Sequence, residues 1–490
     1  MKIKKIVLPV IGAIVIIAGV MLALSHKSES QEEAVLSTDH KALEIWYTDE
    51  AFTDYLGSAA VDYQEKYGIR VRPVLKPGKE FLETILDSSL SEEEYPDLFL
   101  TTNDTLEQTT LSGLTTEILD EKGVVNLTTF PETAVNAVSY KGKVVAYPLS
   151  YNTSIMLYNR TYLEQAAAAI LQAEKDAAEG EAAQQEVEEM EGELTPEPAV
   201  EGVTVTEEQV AAAETTEESQ ESPFTEEEIQ AKAESLIPSS LTALAAFSDE
   251  YDAPEQVENV FYWDVADILY NYDFVGGYMN VGGECGDNEA EMSLYNPDTV
   301  ACMQAFQELN QQFSIDADTV KYDSVLEDFM LGKSIFTVVG VDAIGQIEKE
   351  KKEGVFPYEY GVCLLPDVTE DLHSRSLSIT TAVCVNGFSQ KLSEANAFAA
   401  FLATEHADDI YTKVGQMPCK DQAVLPIDSL QVCRTEYQTS ISMPKMMATA
   451  NLWMRLEIGV NQIWKGADVD ATLKEIEDAT KAQLTIDNSN

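Results

Sequence analysis

Between residues 42 and 104 the chain alternates two hydrophobic periods, and few folds accommodate that pattern. Ala42–Tyr47 (ALEIWY) alternates like a half-buried strand. Phe52–Tyr67 instead places Tyr55, Ala59, Tyr63 and Tyr67 at helical spacing, with Gly68 as its stop. Ile69–Leu75 alternates again, Phe81–Leu90 returns to helical spacing, and Pro96–Leu100 forms a third strand that ends at Thr101-Thr102-Asn103-Asp104. Strand, helix, strand, helix, strand is the grammar of an open α/β sheet with right-handed crossovers. At 490 residues the chain is long enough for two sizeable cores.

Tyr140–Arg160 (YKGKVVAYPLSYNTSIMLYNR) is the second informative stretch. A Lys-Gly-Lys turn joins two apolar runs, and Val144, Ala146, Tyr147, Ile155, Leu157 and Tyr158 give β-type patterning. Pro148 removes a backbone donor and disfavours helix for the residues before it. The expectation is a strand with a kink.

The wording of these segments resembles the maltose-type extracellular solute-binding proteins, family 1. The shared order runs Leu43-x-Ile45-Trp46, a helix, Tyr67-Gly68-Ile69-x-Val71, then Pro96-Asp97-Leu98-Phe99 and Asn103-Asp104, and Gly113–Ile118 continues it. In that family the strand matching Tyr147–Arg160 leaves the first lobe, passes the ligand cleft and enters the second. Further matches are an aromatic helix over Phe261–Val275 that stops at Gly276-Gly277-Tyr278, and the Gly332-Lys333 strand entry in Phe329–Val339. Tyr358–Pro366 matches the return crossover, Lys391–Leu402 the helix after it, and Met443–Gly466 the last ligand-side segment. Asn296-Pro297-Asp298 is read from its own residues as opening a helix through Phe313.

The resemblance implies an α/β, two-lobed, periplasmic-binding-protein-like fold with crossover hinge strands and a ligand cleft between lobes. Lobe one takes residues 41–149 and 364–432; lobe two takes 150–363 and 433–490. It also implies delivery of a small solute, by family frequency a carbohydrate, to the permease subunits of an ABC importer. A monomer is expected.

Charge narrows the partners. Net charge is −55, from 86 acids and 31 bases, which excludes nucleic-acid binding through a basic surface. The basic start Met1–Lys5 and the uncharged apolar run Ile6–Leu24 read as a signal peptide or membrane anchor over residues 1–30, with a polar tether at 31–40. The bulk of the chain is therefore expected outside the cytoplasmic membrane, secreted or held at the cell surface. A retained anchor also fits a ligand sensor without transport.

Composition shifts abruptly over residues 165–222, which carry seventeen acids and one base and few large apolar side chains. Such a segment cannot bury enough surface to offset its ordering entropy, so a disordered acidic insert is expected there, with a fraying helix over Tyr162–Glu179. The family has a short loop at this point. Six cysteines lie beyond the midpoint without a Cys-x-x-Cys pair, and four histidines give little support to zinc. Cys363 and Cys384 fall on strands expected to be neighbours, which puts a disulfide between them among the possible pairings.

No Gly-x-Ser-x-Gly, His-Glu-x-x-His or phosphate-loop motif is present, so no catalytic residue, metal or cofactor is expected. A binding cleft needs aromatic faces for sugar C–H surfaces and Asp, Glu, Asn or Gln for hydroxyls. The family's ligand positions, carried onto matching motifs, are Asp49, Glu50, Asn103, Asp104, Asn152, Asp264, Asp342 and Trp453. Helix capping is the competing role for Asp49 and Asn103, and plain core packing for Trp453. The chain departs from the maltose pattern. Thr101 stands where an aromatic is usual, Ala51 and Thr105 replace basic groups, and Glu457 stands instead of an Arg. The resulting site is acidic, which opens cationic solutes such as polyamines as an alternative ligand class.

Overall fold

The computed structural model describes residues 42–91, 94–192 and 223–487. The calls on residues 1–40, anchor and tether, lie outside the described residues. Among those described, no helix is long and apolar enough to cross a membrane.

The opening alternation folds as its periods dictate. Strands β1 (Leu43–Tyr47), β2 (Val71–Leu75) and β3 (Leu98–Thr102) are separated by helices Thr53–Tyr67 and Phe81–Ser91. Gly68 ends the first helix at φ 74°, a left-handed cap that only glycine adopts without a Cβ penalty. β4 (Ser139–Tyr140) and β5 (Lys143–Val144) form a small hairpin whose turn residues Lys141 and Gly142 both have positive φ.

β6 (Tyr147–Asn159) is the long strand expected around Pro148. Beyond it come β7 (Asn259–Phe261), β8 (Ser334–Gly340), β9 (Tyr360–Cys363) and β10 (Leu377–Val385), then two-residue β11 (Met417–Pro418) and β12 (Ile441–Ser442). Among the described residues ten strands join in one sheet of order β2-β1-β3-β10-β6-β8-β7, with β9 and β11 also on β6 and β12 on β10. β1 runs parallel to β2 and β3, so their carboxyl ends share one edge. The first half of β6 pairs with β10 and β11, and its second half with β8 and β9. One continuous strand thus belongs to both halves of the two-lobed fold.

Aromatic packing anchors the second half. Trp263 stacks on Phe261 at 4.2 Å and meets Trp464 edge-on at 5.4 Å, and all three rings are buried. Each such ring removes roughly 150–250 Å² from water, worth roughly 4–6 kcal/mol. Helix Pro297–Phe313 begins as read, with the Asn296 side chain accepting from Asp298 N and Thr299 N, and it buries Phe306 and Leu309.

A polar seam ties the β4–β5 hairpin region to the segment after β12. The ammonium of fully buried Lys445 donates to Asn136 O at 2.9 Å and Cys285 O at 2.5 Å, and burial pushes it down to about 8. Asp287 accepts the Lys141 main-chain N–H at 2.6 Å.

Three expectations are corrected. The aromatic segment Phe261–Val275 is not a helix. β7 ends at Phe261, and two 3-10 turns follow, Ile268–Tyr270 and Tyr272–Phe274. Asp and Asn side chains capture the main chain here: Asp264 accepts from Ala266 N and Asp267 N, and Asn271 donates to Asp264 O and Asp267 O. Those local bonds outcompete a helical ladder.

The acidic stretch carries the helix expected over Tyr162–Glu179, but the helix runs on through residues 180–192, where disorder was expected. It continues β6 as a helix, Arg160–Gly192, with Leu163 and Ala167 buried and Lys232 of helix Glu226–Ser235 paired to Glu174 at 2.7 Å. Alanine-rich composition favours helix, and the returning helix supplies the packing that the isolated segment lacks. Residues 193–222 lie outside the described residues.

Cys363 and Cys384 are free thiols, as are the other four cysteines. Cys363 pairs with Met156, whereas the neighbouring Val383 pairs with Tyr147. Nine positions along β6 separate the two sites, about 30 Å at strand rise, far beyond disulfide reach.

Candidate ligand-binding cleft

Parallel strands deliver the residues after β1 and β3 to the same sheet edge, where open α/β sheets place ligands. Asp49 follows β1 and accepts the Ala51 N–H at 2.9 Å, opening the short turn Glu50–Phe52. Glu50 is exposed in that turn. Beside them lies a recess of about 190 Å³, lined by Tyr47, Asp49, Phe52, Thr101, Thr381 and Gln416 among others. Gln416 Oε1 accepts from Ser150 Oγ at 2.7 Å and Thr381 Oγ1 at 3.4 Å. Its amide N–H groups have no partner among the described residues.

The residues after β3 divide their tasks. Asn103 is fully buried, donating to Met443 O at 2.6 Å and accepting the Thr380 N–H at 2.9 Å. It joins β3 to β10 and to the segment after β12, so its two bonds are spent inside the protein. Asp104 is exposed, and its Oδ1 accepts from Thr102 Oγ1 at 2.5 Å.

β6 carries the next group. Asn152 lies two residues beyond Ser150, on the same strand face and about 7 Å along. Its Nδ2 donates to Asp342 Oδ1 at 2.9 Å, and its Oδ1 accepts the Val341 N–H at 3.0 Å. Asp342 begins helix Asp342–Lys352, where the amino end of a helix favours a carboxylate. Gly340 permits the approach, because a Cβ there would stand 2.3 Å from Asp342 Oδ1. Nearby, Tyr270 stacks on Tyr322 at 4.8 Å and 8°, and the Tyr322 hydroxyl accepts the Gly340 N–H at 3.3 Å. Burial pushes both phenols well up, and the Asp342 carboxylate adds to the effect.

The structure therefore brings Asn152 and Asp342 into contact and sets Asp49 in the lining of the recess with Gln416. Asp264 is buried and holds the turn that leads to Tyr270; burial raises its carboxyl, against the two N–H groups it accepts. Trp453 is half-buried on helix Ala450–Trp464 and packs against Tyr272 at 5.6 Å.

Ser150, Thr381, Gln416, Tyr270 and Tyr322 were not anticipated. The alternation Ser150–Asn152 on a crossover strand could have flagged Ser150. Gln416 and the two tyrosines arrive from distant loops, and no local pattern marks them. Among the described residues no group of three or more His, Cys, Asp and Glu gathers as a metal site would require.

A two-lobed α/β fold threaded by a shared strand, with polar groups beside that strand, defines a binding-protein architecture. The chain belongs to the bacterial extracellular solute-binding protein family, whose model matches residues 58–431. No curated protein matches it. Solved structures share the fold at low identity. The extracellular solute-binding protein from Staphylococcus aureus, in complex with maltose, is 15% identical with a TM-score of 0.67, over 91% of this chain and 98% of that one. A cyclo/maltodextrin-binding protein complexed with maltotetraose is 15% identical, TM-score 0.66, over 91% and 97%. The maltose-binding periplasmic protein from Listeria monocytogenes, in complex with maltose, is 16% identical, TM-score 0.64, over 91% and 99%.

Proposed function

We propose that this protein is the extracytoplasmic solute-binding component of an ABC importer, and that it takes a small carbohydrate by hinge closure. In this reading lobe one comprises residues 41–149 and 364–432, lobe two 150–363 and 433–490, and β6, with β9–β10 and β12, forms the hinge. The observation that carries it is the pair of Asn152, on the shared strand, with Asp342, two residues along that strand from Ser150, whose partner Gln416 lines the recess. Hydroxyls need such clustered acceptors and amide donors. The neighbours' maltose and maltotetraose ligands support a sugar. The N-terminal segment would secrete or anchor the chain, the permease subunits would receive the loaded monomer, and no catalysis is part of the role.

The exposed carboxylates Asp49, Glu50, Asp104 and Asp342 favour a second reading, a cationic solute such as a polyamine. A thermal-shift screen over mono- and oligosaccharides, polyamines and amino sugars separates the two, since binding raises apparent stability by mass action. Stabilisation by a neutral sugar supports the first reading. A shift from polyamines alone replaces it with the second.

A further inference from the structure

A cavity of about 710 Å³ shares no residue with the recess beside β6. It lies at the base of helix Arg160–Gly192, where that helix meets the segment around helix Leu241–Glu250. Its floor is apolar: Ile170, Leu236, Phe247, Tyr251 and Pro254, each half-buried. The floor is also fixed in shape. Phe247 stacks on Tyr251 at 4.9 Å and 19°, meets Phe336 edge-on, and the Tyr251 hydroxyl donates to Tyr162 O at 3.4 Å. Glu250, Asp252 and Glu255 stand exposed on its rim, and none is ion-paired among the described residues. The lining holds no Lys or Arg.

We propose that this groove docks a basic amphipathic helix of a partner protein. A helix lays apolar anchors at i, i+3, i+4 and i+7 into such a floor, and flanking Lys or Arg residues meet the carboxylate rim. Charge selects against the chain's own residues 193–222 as the occupant. They contain nine Glu and no Lys or Arg, so the rim repels them. The proposal stands apart from solute binding in the cleft.

The test is fluorescence anisotropy on the intact protein with a labelled Leu/Lys amphipathic peptide of about 18 residues, five helical turns. A scrambled peptide of the same composition, lacking an apolar face, serves as the comparison. Salt is held near 150 mM, where exposed charges act over only about 8 Å. The amphipathic peptide should bind at least about tenfold more tightly than the scrambled one. Ile170→Asp should weaken it about tenfold, and so should the combined Glu250→Gln, Asp252→Asn and Glu255→Gln variant. A remote combination, Glu65→Gln, Glu83→Gln and Asp87→Asn, removes the same charge from exposed positions and should change affinity less than about twofold. The triple rim variant keeps the test decisive if Ile170→Asp does not fold. Equal binding of both peptides, equal weakening by both combinations, or no binding overturns the proposal. Binding that emerges only after deletion of residues 193–222 also overturns it, because the chain itself would then be the occupant.

Discussion

Asn152 holds Asp342 at 2.9 Å while accepting the main-chain N–H of Val341 at 3.0 Å, so one amide fixes both a carboxylate and the start of its helix. The exposed remainder of that carboxylate is free to accept from a solute. Hydrogen bonds to charged groups contribute about 1.5–3 kcal/mol, so Asp342→Ala should weaken binding roughly ten- to hundredfold. Calorimetric titration with a ligand from the screen checks this. Unchanged affinity would remove Asp342 from the site.

Asn103 gives the opposite expectation. Both of its bonds lie inside the protein, so Asn103→Ala should cost about 1–3 kcal/mol of stability by leaving Met443 O and Thr380 N unpaired. Thermal melting reads that loss. A variant that keeps its melting temperature but loses ligand affinity would return Asn103 to the list of ligand contacts.

Asp273 makes stability depend on pH with an unusual sign. Burial, with the Glu436 charge adding to it, pushes its carboxyl up to about 7, and its Oδ1 has no hydrogen-bond partner among the described residues. Between the unfolded value near 4 and about 7 the folded state holds more protons than the unfolded one. Stability from this group is therefore present at low pH and lost as pH rises toward 7, at up to about 1.4 kcal/mol per pH unit. Denaturant melts from pH 4.5 to 7 should show that slope, and Asp273→Asn should flatten it. Identical slopes in both proteins would contradict the assignment.

Trp453 should report on ligand binding. The chain has four tryptophans, and Trp46, Trp263 and Trp464 are at most 3% exposed, which leaves Trp453 as the half-buried one. Trp453→Phe should abolish most ligand-induced change in tryptophan emission. Persistence of the full change in that variant would place the responding ring elsewhere.

How far the sequence was legible follows from where the information sits. Local periods fixed β1 to β3, their helices and the helix from Pro297, because alternation and caps act over a few residues. The segment after Phe261 misled. Its aromatic spacing reads as helix, yet Asp264 and Asn271 spend their side chains on main-chain groups, and periodicity does not register that competition. The Arg160–Gly192 helix was underestimated for a related reason, since its support comes from a helix some sixty residues later. Of the candidate ligand positions, Asn152 and Asp342, which the structure brings together, came from motif order across the chain. Gln416, Tyr270 and Tyr322 owe their places to tertiary folding alone.

Helix Arg160–Gly192 leaves the end of β6 without an intervening loop. At 1.5 Å per residue its 33 residues extend about 50 Å from the end of β6. A lobe rotation of about 15°, ordinary for rigid-body transitions, would sweep its far end through about 13 Å. Under the proposed hinge closure the helix would act as a mechanical amplifier, turning a small angular change into a displacement at the periphery large enough for paired fluorescent labels to resolve.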